Sequence, residues 1–323
     1  MYKRILGRSD IEVSALGMGC WGLSGVYYRG DGGASGWGEV DDDESIRTVH
    51  RAIELGVTLF DTADVYGCGR SERVLGRALA GKRDKVVVAT KFGRVFDESK
   101  REILGNDPRP AHVREACEAS LRRLGTDRID LYQWHIGDAS LDDAEGTRDT
   151  LERLVDEGKI RWYGWSTDDA VRAKFFADGK HCASIQQHFN VFGGDEETLR
   201  VCENAKIASL NRGPLAQGIL TGKFTHESTP AKGTVRENWD FQHGRQAKMI
   251  DQFGAIRDIL TSDGRTPAQG ALAWLWARSD VTIPIPGAKT VKQIEENAGA
   301  LVHGPLNPDQ MREIDRVLSE WEN

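Results

Sequence analysis

A chain of 323 residues that is 39% hydrophobic and 29% charged has enough apolar material for a sizeable core, and its length allows one large domain or two ordinary ones. Its formal net charge of -7 argues against nucleic acid or an anionic membrane as the main partner and is read here as solubility. Cys20, Cys68, Cys117, Cys182 and Cys202 lie far apart with no CxxC pair, Met1-Tyr2-Lys3-Arg4 leads into no signal-peptide core, and the most apolar stretch, 271–277, is far too short to span a bilayer, so a cytoplasmic protein with reduced thiols is expected.

In chain order, residues 4–13 read as a small hairpin with Gly7 and Ser9-Asp10 at the turn. Ala15-Leu16-Gly17-Met18-Gly19 is a short apolar strand, and Gly17-Met18-Gly19-Cys20-Trp21-Gly22 has the G-x-G-x-x-G spacing of a dinucleotide-binding turn. Such a turn needs a helix to begin at once, so that its N-terminus can hold a pyrophosphate. Residues 22–38 are instead rich in glycine and lack a helical period. The fingerprint is rejected, and the stretch is expected to be a long, mobile loop over the site, carrying Tyr27, Tyr28 and Trp37.

Asp42-Asp43-Glu44 opens the first helix, Ile46, Val49, Ala52 and Ile53 form its apolar face, and Gly56 stops it. Strand and helix then alternate. A strand ends at Asp61 before a helix over 72–80. The next ends at Lys91 and is followed by a loop over 92–110 and a helix through 121–125. A strand ending near His135 precedes a helix over 142–157, and a strand over 161–166 precedes one beginning at Asp168. Strands over 183–187 and 207–210 flank a helix over 196–205. A Gly-Pro-rich loop leads to helices over 245–261 and 267–278, a strand over 281–285, a helix over 291–300, and a last helix capped by Asn307-Pro308-Asp309. Helix-length spacers imply a parallel sheet. Eight repeats imply an α/β fold closed as a (β/α)8 TIM barrel, with an N-terminal hairpin and extra C-terminal helices, in a single domain over 1–323. An open doubly wound sheet is the runner-up, and it would want the dinucleotide turn that is lacking.

In such a barrel the carboxyl ends of the strands meet at one mouth. Leu59-Phe60-Asp61 ends one strand, and Tyr66 lies in the loop that Gly67 closes. Val86-Val87-Val88-Ala89-Thr90 ends in Lys91, and Ile129-Asp130-Leu131-Tyr132-Gln133 runs into Trp134-His135. A phenol has an unperturbed pKa of ~10, and a nearby cation such as Lys91 is expected to lower it. Asp61, Lys91 and His135 gathered around Tyr66 form a set that can donate a proton to a polar substrate. Trp134 and Trp165 directly precede inward residues, so alternation sends them into the helix layer.

These residues resemble the aldo-keto reductase family, in a bacterial branch acting on small carbonyls or sugars. The resemblance covers nearly the whole chain. It rests on Phe60-Asp61-Thr62-Ala63 with Tyr66-Gly67, Ala89-Thr90-Lys91, Asp130-Leu131-Tyr132-Gln133-x-His135, and Gly164-x-Ser166. Pro214-Leu215-Ala216-Gln217-Gly218-x-Leu220-Thr221-Gly222-Lys223 and Ile285-Pro286-Gly287-Ala288 with Glu296-Asn297 complete it. The resemblance implies a catalytic tetrad of Asp61, Tyr66, Lys91 and His135. It implies NADPH/NADP+ bound extended across the barrel mouth, a small-molecule carbonyl substrate, and no metal; no His/Cys cluster offers one.

It also implies cofactor contacts. Ser166 and Gln186 match positions that hold the nicotinamide carboxamide, and Thr167 stands where the family has Asn. Arg212 replaces the usual stacking aromatic and is expected to sit uneasily against the oxidised ring. The segment Gly213, Pro214, Leu215, Ala216, Gln217, Gly218, with Lys223, matches the loop around the pyrophosphate. Cys20, Trp21 and Gly287 border the same groove, and Lys289, Gln293, Glu296 and Asn297 face the adenosine, with Lys289 replacing a frequent Arg at the position of Gln293. Trp21, Tyr28, Trp37, Tyr66, Phe92, His135 and Ile136 are the expected substrate pocket. The alternative is a cofactor-binding partner subunit with weak catalysis, which an intact tetrad does not exclude.

Overall fold

The computed structural model describes residues 2–321. Its strands are β1 (Lys3–Ile5), β2 (Glu12–Ser14), β3 (Met18–Gly19), β4 (Tyr27–Tyr28), β5 (Ala34–Ser35), β6 (Leu59–Asp61), β7 (Val87–Phe92), β8 (Arg94–Asp97), β9 (Glu102–Asn106), β10 (Ile129–Trp134), β11 (Ile160–Ser166), β12 (Cys182–Asn190), β13 (Gly193–Gly194), β14 (Ala208–Arg212) and β15 (Thr282–Pro284). The helices are α1 (Asp42–Glu54), α2 (Arg70–Ala78), α3 (Pro110–Leu124), α4 (Leu141–Asp156), α5 (Ala170–Ala177), α6 (Glu196–Ala205), α7 (Gly244–Leu260), α8 (Pro267–Arg278), α9 (Val291–His303) and α10 (Pro308–Ser319).

Among the described residues, β3, β6, β7, β10, β11, β12, β14 and β15 lie side by side in that order, each parallel to the next. A parallel bridge from Gly19 to Gly287 brings the two edges together, so the sheet curls into the (β/α)8 barrel that the alternation implies. Gly17 N and Gly19 N donate to the carbonyls of Pro284 and Pro286, both at 2.9 Å. The glycine spacing that mimics a dinucleotide turn has its explanation at this seam. A Cβ on Gly19 would lie 2.7 Å from the Ile285 carbonyl oxygen, and one on Gly22 would lie 2.8 Å from that of Ala288. The glycines let the first strand approach the last, which accounts for the spacing by packing.

The hairpin β1–β2 closes the barrel floor. Its loop residues Leu6 and Ile11, with Val13, pack on the inward side chains Leu59, Val87, Ala89, Leu131, Ala183, Leu210 and Ile283. Outside the sheet, Trp134 and Trp165 are fully buried with ring centroids 4.6 Å apart, and Phe176 of α5 lies 5.0 Å from Trp165, as strand alternation requires. Burying rings of this size stabilises the fold by roughly 1.5–3 kcal/mol each or more.

Two expected loops are more ordered than composition suggests. Residues 22–38 begin as a short 3-10 turn over Cys20–Leu23 and continue into the paired strands β4 and β5. The stretch 92–110, expected as a loop, contains the hairpin β8–β9, and β9 pairs with β4 through Tyr28 and Glu102. No helix among the described residues is long and apolar enough to cross a membrane.

Candidate active site

Strand ends place the chemistry. Asp61 is the last residue of β6, Lys91 lies near the end of β7, and His135 follows β10, its backbone N donating to the Phe92 carbonyl at 2.8 Å. Tyr66 sits on the turn after β6. That turn is fixed by Thr62 N to Ala89 O, Asp64 N to Lys91 O, and Gly69 N to Asp64 O, at 2.8, 3.1 and 2.7 Å.

Lys91 is fully buried. Its ammonium donates to Asp61 Oδ2 at 2.5 Å, to the Thr62 carbonyl at 2.8 Å and to the Tyr66 hydroxyl at 3.3 Å. Asp61 Oδ1 accepts from Gln186 Nε2 at 2.9 Å and from Gln133 Nε2 at 3.1 Å. The buried carboxylate is therefore answered by one cation and two amides, which is what makes burying it tolerable. Gln133 lies in the strand motif without an expected role; its inward register opposite Lys91 is the signal that marks it. The Tyr66 and His135 rings meet edge to face at 6.0 Å, and Trp21 stacks on Tyr66 at 5.9 Å with Trp37 edge-on to Trp21 at 4.9 Å.

The electrostatics differ from the sequence expectation at one point. Burial raises the Tyr66 pKa by more than the Lys91 charge lowers it, so the group is held as a phenol at neutral pH. Burial opposes the Lys91 cation, but Asp61 and Tyr66 beside it outweigh that and hold its pKa above the ordinary lysine value. His135 is held well below the usual histidine range by burial and then by Lys91, Arg94 and Arg212, so its ring is neutral. Its Nδ1 is buried without a partner, which leaves Nε2 as the nitrogen available to a ligand.

The other sequence-derived residues divide. Trp21, Trp37, Tyr66 and His135 come together through successive ring contacts, but Phe92, Tyr28 and Ile136 do not join them. β7 runs one residue past Lys91, so with Lys91 facing in, Phe92 faces out, fully buried and stacked on Tyr132 at 4.4 Å. Tyr28 is 46% exposed on the small sheet, and the Ile136 side chain lies against Gly93. The Cys20 side chain is also core, its thiol pushed up by burial.

Around the expected cofactor groove, Thr167 spends its hydroxyl proton on the Gly137 carbonyl at 2.7 Å. Arg212 is ion-paired to Asp168, so its charge is answered before any nicotinamide arrives. From Gly213 the chain passes Pro214 and Leu215 into consecutive left-handed residues Ala216, Gln217 and Gly218, with φ of 46°, 52° and 103°. Asn190, which belongs to no recognised motif, holds this turn by donating to the Gly213 carbonyl at 2.9 Å. Lys289 is not free: its ammonium donates to the carbonyls of Trp37 and Glu39 at 2.8 and 2.9 Å. Gln293 caps the Lys289 backbone N at 2.7 Å, and Asn297 donates to the Gly287 carbonyl at 3.4 Å.

Arg236, from the long loop after β14, lies over the Trp37 ring at 4.6 Å and the Phe224 ring at 5.2 Å, and its Nε is buried without a partner. Burial and then Arg236 lower the pKa of both Lys223 and Lys289; Glu296 partly offsets this at Lys223, and Glu39 at Lys289. Three crowded cations, one with an orphaned donor, fit a ligand that carries several phosphate charges.

A family model described as the aldo/keto reductase family matches residues 15–319. A protein of Glycine max named as a probable aldo-keto reductase 1 is 34% identical over 318 residues, spanning 96% of this chain and 86% of its own length. The glycerol dehydrogenase AKR11B4 from Gluconobacter oxydans superposes with a TM-score of 0.83 at 30% identity, covering 98% of this chain and 95% of that one. An aldo/keto reductase from Klebsiella pneumoniae, solved in complex with NADP and acetate, gives a TM-score of 0.70 at 28% identity, covering 98% and 96%.

Proposed function

Because this chain belongs to the aldo/keto reductase family, we propose that it is an NADPH-dependent oxidoreductase that reduces the carbonyl of a small aldehyde or ketone to an alcohol, with Tyr66 as the proton donor. The observation that carries this reading is the buried Lys91 ammonium, which hydrogen-bonds the Asp61 carboxylate and the Tyr66 hydroxyl at once.

When bound, NADPH supplies the hydride. The residues that would hold it are Ser166 and Gln186 toward the carboxamide, 213–218 with Lys223 and Arg236 toward the phosphates, and Lys289, Gln293, Glu296 and Asn297 toward the adenosine. The NADP complex of the Klebsiella pneumoniae relative supports this cofactor. As charge develops on the substrate oxygen, the Tyr66 hydroxyl delivers its proton to that atom. Lys91 stabilises the phenolate left behind, and Asp61 keeps Lys91 charged and in place. A neutral His135 that bears its hydrogen on Nε2 donates to the same oxygen and fixes its direction. The test is a panel of aldehydes and ketones with NADPH consumption followed by absorbance; no turnover on any member would sink the reading.

The raised Tyr66 pKa and the neutral His135 set the pH dependence. The phenol is the active form in reduction and persists below its raised pKa. Reduction should therefore be flat through neutral pH, with no inflection near 6.5, and alcohol oxidation, which needs the phenolate, should climb through pH 10. A reduction profile that bends at pH 6–7 and loses the bend in His135→Ala would contradict the neutral imidazole.

Lys289 keeps one ammonium proton beyond the two given to Trp37 and Glu39, and that donor would serve the 2′-phosphate. Lys289→Ala is expected to raise the Kd for NADPH about tenfold, or roughly 1.4 kcal/mol, and that for NADH less. Fluorescence titration of both cofactors decides it; equal weakening would assign Lys289 to holding the Trp37–Glu39 segment alone.

A further inference from the structure

Of the cations closest to His135, one has no carboxylate among the described residues to answer it. Lys91, Arg94 and Arg212 are the cations near enough to His135 to depress its basicity. Lys91 is paired with Asp61, and Arg212 with Asp168. No carboxylate among the described residues pairs with Arg94; its Nη1 donates to the neutral amide oxygen of Asn106 at 2.8 Å.

Backbone geometry fixes where this charge sits. The Phe92 carbonyl holds His135 N, Gly93 turns the chain at a φ of 114°, and Arg94 opens β8 opposite Asn106. Asp107 N closes the hairpin base on the Gly93 carbonyl at 2.9 Å. Arg94 thus stands two residues from the group that anchors His135, half-buried, with its guanidinium oriented by one amide and its remaining N–H donors without a partner among the described residues. Trp21 and Trp37 supply an apolar wall against Tyr66. A planar, permanently charged donor set just past the end of the strand that carries Lys91 suits a carboxylate or phosphate.

We propose that Arg94 binds a negatively charged group on the carbonyl substrate, so that the enzyme acts on anionic aldehydes or ketones and Arg94 sets that specificity. This rests on the reading of Tyr66, Lys91, Asp61 and His135 as a carbonyl-reducing site.

The test compares kcat/KM for 4-carboxybenzaldehyde with that for methyl 4-formylbenzoate, and for glyceraldehyde 3-phosphate with that for glyceraldehyde. The enzyme should favour the charged member of at least one pair by about tenfold or more. The pair that responds identifies the anion. Arg94→Gln should collapse that ratio toward one, through KM, and Arg94→Lys should keep much of it. A ratio near one in both pairs for the unaltered enzyme, or an equal loss on charged and neutral substrates in Arg94→Gln, overturns the proposal. Calorimetric binding of 4-(hydroxymethyl)benzoate and of its methyl ester, in the presence of NADP+, separates the two readings. Carboxylate binding that depends on Arg94, with no turnover of any aldehyde, sustains the anion site and sinks carbonyl reduction. Turnover of neutral aldehydes with neither an Arg94-dependent ratio nor Arg94-dependent binding does the reverse.

Discussion

Tyr66→Phe should lower kcat by about 10²–10⁴-fold while leaving the fold and NADPH affinity in place. The substitution deletes one hydroxyl. The ring keeps its stack on Trp21 and its edge contact with His135, so the cleft keeps its shape. Lys91 loses a partner at 3.3 Å but retains Asp61 and the Thr62 carbonyl, so its charge remains satisfied. No other side chain within this hydrogen-bonded group offers a proton as well as Tyr66. His135 is neutral, and an imidazole N–H is a far weaker acid than a phenol. Aldehyde reduction at near wild-type rate, with NADPH bound normally, would remove Tyr66 from the proton-donor role and with it the functional reading built on the strand ends.

Lys91→Met should cripple turnover for a different reason and should also weaken the fold. Methionine fills similar volume, yet it leaves the Asp61 carboxylate buried with only the Gln133 and Gln186 amides to answer it. Removing one member of a buried ion pair typically costs about 3–5 kcal/mol, because the remaining charge is uncompensated. The phenol simultaneously loses the one cation that lowers its pKa by direct contact, so proton transfer becomes harder. Thermal unfolding and steady-state kinetics should both report the damage. The double variant Lys91→Met with Asp61→Asn should recover stability without recovering activity, since it removes the stranded charge but not the need for a cation at Tyr66. If the double variant were no more stable than Lys91→Met alone, the buried-charge account of this site would be wrong.

The barrel and its mouth were legible because each carries a local signal. Short apolar runs end in Asp61, Lys91 and His135, with helix-length spacers between them, and parallel connectivity does the rest. What was hidden depends on partners far away in the chain. The hairpin β8–β9 has a polar sequence and pairs with β4, more than seventy residues upstream. The donors of Lys289 end on Trp37 and Glu39, which are neighbours in space but 252 and 250 residues away in sequence. Phe92 was misplaced by a single residue: reading the strand as ending at Lys91 made Phe92 a loop residue, whereas one further strand position inverts its face. Arg236 lies in a stretch without periodicity, so its position over Trp37 had no precursor in the sequence pattern.

The seam where Gly19 meets Gly287 bears on how the chain is made. Asp61, Tyr66, Lys91 and His135 lie within residues 61–135, whereas the strand that closes the circle, Thr282–Pro284, leaves the ribosome well after them. At a synthesis rate of roughly 5–20 residues per second, the emerging sheet waits on the order of 10–30 s between completing the strands that carry Asp61, Lys91 and His135 and receiving its final neighbour. During that interval the Met18–Gly19 edge has backbone groups with no sheet partner on one side, the circumstance in which strands pair with other chains. The brevity of that first strand, two residues long, then acts as a safeguard, since it offers a nascent neighbour very little to hold.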